Sequence, residues 1–309
     1  MSIDRKNVCA VVVTYQPDTA CITALLNAVL PQVGGLVAIN NGRPWTVVLP
    51  DFAEHGAGCF SVLDMGRNLG VGAAQNRGIE WAKHHGYSHV ILFDQDSEPS
   101  RDMVEKLLAA WAELSRSGSP VAAVGPRLVD RRDGWQAPFV TFGAFGVKRA
   151  DCDKTGWPQT DFLISSGMLA AITVYEKVGM LDEGLFIDNV DLDWCFRARQ
   201  HGLNLYGVCE AGMVHQIGDA KVCASVFGRT YPIYQQQPLR QYYIMRNRIL
   251  LYRRAYSPYA WIIQDVVRAA GKGLLTLVFF SQRRLNFQMM LSGLVDGLCN
   301  KSGEYLSLR

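Results

Sequence analysis

The sequence predicts an α/β fold with a mostly parallel sheet, helices on both faces of that sheet, and a helical C-terminal extension. Strand-like apolar runs alternate with helical spacing over residues 8–116, which is typical of parallel sheets. One of these runs, 90–93, leads directly into two carboxylates, Asp94 and Asp96. Near residue 235 the composition becomes basic and aromatic. We therefore expect an α/β catalytic domain over 1–235 and a basic helical extension over 236–309.

The hydrophobic pattern predicts the individual elements. Runs of β-branched and apolar residues predict strands at 8–15, 36–40, 60–66, 90–93, 121–129 and 203–208. Apolar residues at helical spacing predict helices at 19–30, 67–82 after a Gly-rich loop, 100–116, 175–178, the second half of 186–199, 241–254 and 261–280. Strand and helix in this rhythm place parallel strand ends along one edge of a sheet.

Composition favours a folded protein with a substantial core. Hydrophobic residues make up 49% of the 309 residues and charged residues 19%, so global disorder is excluded. The formal net charge of +3 is too small to indicate nucleic acid as a partner. Residues 240–309 carry eleven Lys/Arg and only three acids, and a basic tail of this kind favours an anionic surface as partner.

Cysteine usage and the start of the chain indicate a cytoplasmic protein. The eight cysteines are scattered without a CxxC pair, so we expect most of them to be reduced packing residues. The start, MSIDRKNV, lacks the apolar region of a signal peptide. We find no uncharged apolar stretch of 18 residues, so we expect no ordinary membrane span.

Asp94 and Asp96 form a candidate metal site where a buried strand ends. Alternation along an extended chain puts both carboxylates on one side. Two close carboxylates repel, and a divalent cation such as Mg²⁺ or Mn²⁺ relieves the repulsion while leaving coordination sites for phosphate oxygens. The alternative is a solvated acidic turn that caps the helix beginning near Pro99.

Seven motifs occur in an order that resembles glycosyltransferase family 2. They read VVVTY, NNG, RNLGVGAAQNRGI, LFDQDS, SSG, DLDW and VHQIG. The residues within LFDQDS, ISSG and YYIMRN are most similar to those of bacterial rhamnosyltransferases of surface-polysaccharide assembly. The resemblance covers about residues 8–254 and implies the GT-A fold and an inverting reaction. It also implies a nucleotide-sugar half over about 1–100 and an acceptor half over about 101–235.

The resemblance implies a donor site and a metal site. The donor nucleotide is expected to contact Thr14, Tyr15, Asn40, Asn41, Gly42, Asn68, Gly70, Asn76, Asp94 and Arg246. Many relatives carry Asp where this chain has Asn40, and the departure leaves the identity of the base open. Asp96 is expected to be the principal ligand of Mg²⁺ or Mn²⁺, with Asp94 and His215 beside it. Each assignment has a competing structural interpretation. Asn40, Asn41 and Gly42 would form a simple turn, and the segment from Asn68 to Asn76 a tight loop for helix–sheet packing. His215 would be a structural histidine, and Arg246 an exposed cation on a packing helix.

The resemblance also implies a general base and an acceptor site. Asp191 is expected to take the proton from the acceptor hydroxyl, with Asp193 and Asp188 as alternates. Ser166, Gly167 and Trp194 are expected on the acceptor side. Asp191 is also a candidate helix cap, and Trp194 a candidate core residue.

The expected function is transfer of L-rhamnose from dTDP-L-rhamnose to a glycan or lipid-linked glycan acceptor of bacterial polysaccharide or O-antigen assembly. The alternatives are a UDP-hexose or UDP-N-acetylhexosamine transferase, a nucleotidyltransferase, and a non-catalytic glycan-binding protein. Charges at 265, 268 and 272 form one stripe on segment 261–280. With the flanking Arg pairs, this segment is expected to contact the cytoplasmic face of the inner membrane peripherally, or else another subunit.

Overall fold

The structure is a computed structural model that describes most of the chain. The described residues are 3–42, 60–144, 146–150, 152, 156–215, 220–226, 229–279 and 282–306, and for 220–226 and 229–235 the backbone alone is described. In these residues one large sheet lies at the centre of a mixed α/β fold, with most of the helices packed around it. The predicted fold class is confirmed.

Nine strands form the central sheet of the described chain. Eight of them follow the order β3-β2-β1-β4-β10-β6-β11-β5, and β9 pairs with β11. Their ranges are β1 Val8–Thr14, β2 Gly35–Asn40, β3 Phe60–Asp64, β4 His89–Asp94, β5 Glu98–Pro99, β6 Val121–Asp130, β9 Gln159–Thr160, β10 Leu169–Ala171 and β11 Asn204–His215. Two hairpins lie outside this sheet, β7 Val140–Gly143 with β8 Gly146–Arg149, and β12 Ala220–Val226 with β13 Arg229–Gln235.

The first four strands of the sheet are parallel, as the alternation with helices predicts. β1 pairs in parallel with β2 and β4, and β2 with β3. Every residue of β1 and β2 is buried, because helices cover both faces of the sheet. The carboxyl ends of these strands therefore meet along one edge.

Eight helices are assigned in the described chain. Their ranges are α1 Thr19–Val29, α2 Val71–His84, α3 Met103–Arg116, α4 Ile172–Val178, α5 Val190–Gln200, α6 Pro238–Tyr252, α7 Tyr259–Phe279 and α8 Arg283–Leu298. All but α8 overlap helices that the hydrophobic spacing predicts. The sequence analysis missed α8 because its apolar residues are spread around the helix rather than along one stripe.

The C-terminal helices place the predicted charged stripe differently from our expectation. Asp265 of α7 is buried and accepts hydrogen bonds from Arg248 and Tyr252 of α6. The charge at 265 therefore faces the protein, while α7 exposes apolar side chains such as Ile263 and Val267. Among the described helices, none combines the length and hydrophobicity that a membrane crossing requires.

One pair of cysteines departs from the reduced state that we expected of most of the eight. Cys152, after β8, and Cys209, in β11, form a disulfide with a Cα–Cα distance of 5.5 Å. The sequence separation of 57 residues hid this pairing from pattern analysis. Four other cysteines are free, namely Cys9, Cys21, Cys195 and Cys299. The side chains of Cys59 and Cys223 lie outside the described residues.

Candidate active site

The strand ends bring Asp94, Asp96 and His215 together, as predicted. Asp94 ends β4, Asp96 lies in the following turn, and His215 ends β11. The short strand β5 pairs with β11 at Val214, which draws the turn towards His215. One ligand atom of each of the three side chains lies within 4.8 Å of the others, and His215 Nδ1 is 3.6 Å from Asp96 Oδ1.

The chemistry of this cluster fits a divalent cation. His215 Nδ1 is buried and has no hydrogen-bond partner among the described residues. Burial raises the pKa of the Asp94 carboxyl, and the Asp96 carboxylate raises it further, against the opposing effects of His215 and Arg240. Two carboxylates and one imidazole are ligands that Mg²⁺ or Mn²⁺ accepts. A cation at this position would satisfy the orphaned nitrogen and relieve the repulsion between the carboxylates.

The predicted donor residues of the first strands line the same edge of the sheet. Thr14, Asn40 and Asp64 lie side by side at the ends of β1, β2 and β3. The Tyr15 ring is 47% exposed and lies 3.2 Å from the position that a side chain would take at Gly42. Asp64 is an acidic neighbour that was not among the predicted site residues, because the predicted strand 60–66 runs past it whereas β3 ends at Asp64.

The segment 68–70 before α2, called the donor loop here because donor contacts are predicted in it, is held in shape by Asn41 and Asn68. Asn41 accepts a hydrogen bond from Leu69 N–H and donates to the Asn68 side chain and the Gly70 carbonyl. Asn68 also accepts from Gly70 N–H. Asn41 and Asn68 therefore shape the backbone that starts α2, and their direct contact with a nucleotide stays a prediction.

Asn76 faces away from the donor edge, against our expectation. Its amide donates to the Leu181 carbonyl and the Glu183 carboxylate, and its carbonyl oxygen accepts from Leu181 N–H. The side chain is buried, so its hydrogen-bonding groups are already used within the protein. The assignment of Asn76 to the nucleotide is corrected to a link between α2 and the segment before α5.

Ser166 and Gly167 support the candidate metal cluster by hydrogen bonds to the backbone of β4. The Ser166 hydroxyl accepts from Asp94 N–H and lies 2.6 Å from the Ser97 hydroxyl. Gly167 N–H donates to the Leu92 carbonyl in β4. Because Ser166 is buried and occupied by these contacts, we correct its role from acceptor contact to support of the Asp94–Asp96 turn.

Asp191 has the environment of a general base. It lies in the first turn of α5, partly buried, and accepts a hydrogen bond from Leu192 N–H. Burial raises its pKa to about 7, and the charges of Asp94 and Asp188 raise it in the same direction, while backbone hydrogen bonds from Leu192 and Ser165 lower it. A carboxylate with this pKa accepts a proton near neutral pH and remains deprotonated often enough to act.

The two alternate bases are engaged in ion pairs. Asp193 is fully buried and bonded to Arg197, Arg254 and Tyr256. Asp188 forms a two-point ion pair with Arg240 of α6, with distances of 2.8 and 3.2 Å. Of the three acids, only Asp191 forms none of the ion pairs found in the described chain.

Two further predicted contacts belong to the protein interior. Trp194 is fully buried, donates its indole N–H to the Gly179 carbonyl and packs on Tyr175, so it presents no face to an acceptor sugar. Arg246 is fully buried and donates to backbone carbonyls. These contacts correct both assignments.

Arg240 is the cation near the site that the sequence analysis missed. Besides the ion pair with Asp188, its charge lowers the pKa of Asp94. Arg240 precedes the QYYIMRN stretch by one position. Only the structure shows that this residue, at the start of α6, faces Asp188 and Asp94.

Comparison with known proteins agrees with the geometry. The family model described as Glycosyl transferase family 2 matches residues 9–169. The chain is 33% identical over 269 residues to "dTDP-rhamnosyl transferase RfbF" of Shigella flexneri, covering 85% of this chain and 86% of that protein. It is 21% identical over 251 residues to "Low-salt glycan biosynthesis hexosyltransferase Agl10" of Haloferax volcanii, covering 78% and 76% of the two chains.

Solved structures show the same fold. The structure of GalNAc-T7 with UDP, GalNAc and Mn²⁺ superposes with a TM-score of 0.57 at 14% identity, over 94% of this chain and 55% of that one. TarS 1–349 of S. aureus superposes with a TM-score of 0.54 at 14% identity, over 94% and 80%. The family model over more than half of the chain and the 33% identical relative show that the chain is a glycosyltransferase and belongs to glycosyltransferase family 2.

Proposed function

We propose that this protein transfers L-rhamnose from dTDP-L-rhamnose, with inversion, to a glycan acceptor. One observation carries the proposal: the charge of the candidate metal ligand Asp94 raises the pKa of the candidate base Asp191, which brings the two carboxylates into one site. The base for the attacking hydroxyl and the metal ligand for the leaving diphosphate would thus belong to one site. The 33% identical relative named as a dTDP-rhamnosyl transferase supports the identity of the donor.

In the proposed reaction the side chains have separate tasks. Asp191 takes the proton of the acceptor hydroxyl as its oxygen attacks the anomeric carbon from the face opposite the leaving group. Asp94, Asp96 and His215 hold a divalent cation, which when bound neutralises the charge that develops on the departing dTDP. Tyr15 and the ends of β1 to β3 hold the nucleoside.

The experiment that tests the donor is thermal unfolding with dTDP, UDP or GDP, each with Mn²⁺ or with a chelator. A ligand at about 100 times its dissociation constant stabilises the fold by roughly 2.7 kcal/mol, which a melting curve resolves. We expect stabilisation that is largest for dTDP and disappears with the chelator. A preference for UDP would replace rhamnose by a UDP-hexose or UDP-N-acetylhexosamine. No response to any nucleotide would favour a non-catalytic glycan-binding protein.

The acceptor is proposed to be a lipid-linked glycan of surface polysaccharide, such as O-antigen, at the cytoplasmic face of the inner membrane. Two features support this location. Exposed apolar side chains follow helical spacing at Ile263, Val267 and Leu274 of α7. The exposed Arg283 and Arg284 at the start of α8 add positive charge, which attracts anionic lipid.

Sedimentation with vesicles tests the membrane contact. We expect binding to phosphatidylglycerol vesicles, weak binding to phosphatidylcholine vesicles, and loss of binding in the Val267→Glu, Leu274→Glu double variant. Both side chains are exposed, so the fold should not change. If the wild type does not bind vesicles but forms a dimer that the double variant dissociates, this face is a subunit contact.

A further inference from the structure

The turn over 184–189, directly before α5, has an unusual backbone. Phe186 has φ 65° and ψ −63°, and Asp188 and Asn189 both have φ 63°. Three non-glycine residues in the left-handed half of conformational space persist only where the surroundings determine them. The contacts of this turn therefore decide its shape.

Asn247 of α6 holds the turn from one side. Its fully buried amide nitrogen lies 2.8 Å from the Leu185 carbonyl, 2.7 Å from the Ile187 carbonyl and 2.9 Å from the Asp188 carbonyl. Its carbonyl oxygen accepts from Arg246 Nε at 2.9 Å. The whole donor capacity of this side chain is therefore directed at the turn.

Arg246 extends the same support. Its guanidinium donates to the carbonyls of Gly184 and Leu185 at 3.2 and 3.0 Å, and to Gly303 after α8 at 2.5 Å. The ring of the neighbouring Tyr243 stacks on Phe186, with centroids 5.0 Å apart. The C-terminal extension thus contacts the turn through both backbone and side chain.

The donor loop closes the other side of the turn. Val71 N–H, at the start of α2, donates to the Phe186 carbonyl at 2.7 Å. Gly70 lies so close that an added Cβ would be 2.5 Å from the Phe186 carbonyl oxygen. The turn is therefore fixed between the donor loop and α6.

The start of α5 depends on this turn. Asn189, the residue before the helix, does not cap it with its side chain, although a side-chain cap is the usual way to fix a helix start. Asp191 follows two residues later. The backbone of the 184–189 turn therefore fixes where α5 begins and so the position of Asp191, whose carboxylate is then oriented by the N–H groups of Leu192 and Ser165.

We propose that Asn247 and Arg246 are positioning residues for the base Asp191, acting through the 184–189 turn. The inference rests on the proposed function, because it assumes that Asp191 is the base. It also assigns the C-terminal extension a positioning part in the reaction, since α6 supplies both side chains and residue 303 contributes an acceptor.

The test measures transfer from dTDP-rhamnose by the full chain in Asn247→Asp and Asn247→Ala variants. Asn247→Asp keeps the shape and the oxygen that Arg246 contacts but removes both N–H donors. Asn247→Ala is the second variant, in case the added charge prevents folding. The matched control is Tyr252→Phe, which removes a hydrogen bond from α6 to Asp265 of α7.

We expect kcat to fall on the order of 10²-fold in both Asn247 variants, because small displacements of a catalytic group have effects of this size. The affinity for dTDP with Mn²⁺ should stay within about twofold of wild type, since the lost interaction acts on the base rather than on the donor. Tyr252→Phe should keep its kcat. Normal kcat in folded Asn247→Ala, or equal losses of kcat and dTDP affinity, would overturn the inference.

An Asp191→Asn variant separates this inference from the proposed function. If Asp191→Asn keeps its turnover, the assignment of the base fails and the inference fails with it. If Asp191→Asn loses turnover while Asn247→Ala keeps it, the base assignment stands and only the positioning role is wrong.

Discussion

The side chain of Gln95 holds the backbone of Tyr15 by two hydrogen bonds. Tyr15 N–H donates to Gln95 Oε1 at 2.8 Å, and Gln95 Nε2 donates to the Tyr15 carbonyl at 3.2 Å. Gln95 lies between the two aspartates of the metal cluster, and its side chain is directed at the donor segment after β1. The residue between Asp94 and Asp96 thus connects the candidate metal cluster to the segment after β1 where we propose that the nucleoside binds.

Replacing Gln95 by Ala should weaken nucleotide binding. The Tyr15 backbone loses both partners, and each such bond contributes about 1 kcal/mol net. Because the contact is partly exposed, we expect dTDP affinity to fall roughly fivefold, equivalent to about 1 kcal/mol. Titration calorimetry with dTDP and Mn²⁺ measures it. Gln95→Glu keeps the acceptor for Tyr15 N–H and should give an intermediate value, whereas unchanged affinity in both variants would contradict the link.

Replacing Asp96 by Ala should abolish metal-dependent nucleotide binding. The cluster would keep one carboxylate and one imidazole, too few protein ligands to hold Mg²⁺ or Mn²⁺ firmly. We expect melting curves with dTDP and Mn²⁺ to match those with a chelator. Replacement of Glu98, an exposed acid two residues away, by Ala is the control. Full Mn²⁺-dependent stabilisation in Asp96→Ala would remove Asp96 from the metal site.

Regular strands and helices could be predicted because their apolar patterns are local. The patterns located β1, β2 and β4, and the carboxylates that follow β4, to within one or two residues. Burial of Asp265 in α7 depends on Arg248 and Tyr252 in another helix, which no local pattern reports. The disulfide joins residues 57 positions apart. Contacts between residues distant in sequence determine which face of a helix or strand is buried.

The same distinction applies to the candidate site. Asp94 and Asp96 could be predicted because they follow a strand directly. Trp194 and Arg246 were placed at the ligand because their residue types suit sugars and phosphates, yet the structure buries both. Arg240 was missed because its relation to Asp188 spans 52 residues. The residue type suggests a chemistry, while the fold decides whether a ligand can reach it.

Replacing Asp191 by Asn should remove transfer and its pH dependence. Loss of general base catalysis lowers kcat roughly 10²–10⁴-fold. In the wild type, the base must be deprotonated, and burial raises its pKa to about 7 with Asp94 and Asp188 nearby. Therefore kcat should fall tenfold per unit as pH decreases below about 7. Stopped assays of rhamnose transfer between pH 5 and 9 measure this dependence of kcat on pH. Normal turnover in Asp191→Asn together with loss in Asp193→Asn would move the base by two positions.

The same substitution should stabilise the unliganded fold at alkaline pH. The pKa of Asp191 is about 7 in the folded state, against 3.8 for the unperturbed group. Between these values the folded state holds a proton that the unfolded state has released, so the contribution of Asp191 to stability is lost as pH rises through 7. We expect Asp191→Asn to melt higher than wild type at pH 8 and equally near pH 4. A lower melting temperature at pH 8 would contradict the environment described for this carboxyl.

Replacing Asp193 by Ala should destabilise the fold strongly. The carboxylate has no exposed surface and holds Arg197 at 3.0 Å, Arg254, and the Tyr256 hydroxyl at 2.6 Å. Its removal leaves Arg197 without a carboxylate partner and Arg254 with Asp182 alone, and breaking such a buried network costs about 3–5 kcal/mol. A protein of this length should then melt roughly 10 °C lower.

An exposed ion pair supplies the control for Asp193. Lys83 and Glu176 lie 2.8 Å apart with about half of each side chain in solvent, and exposed pairs contribute about 0–1 kcal/mol. Glu176→Ala should therefore hardly change the melting temperature. If Asp193→Ala is as stable as Glu176→Ala, the buried ion pairs do not stabilise α5. A stable Asp193→Ala that has lost turnover would instead show that the carboxylate beside Arg254 serves the reaction, and that Asp191 two residues earlier serves the fold.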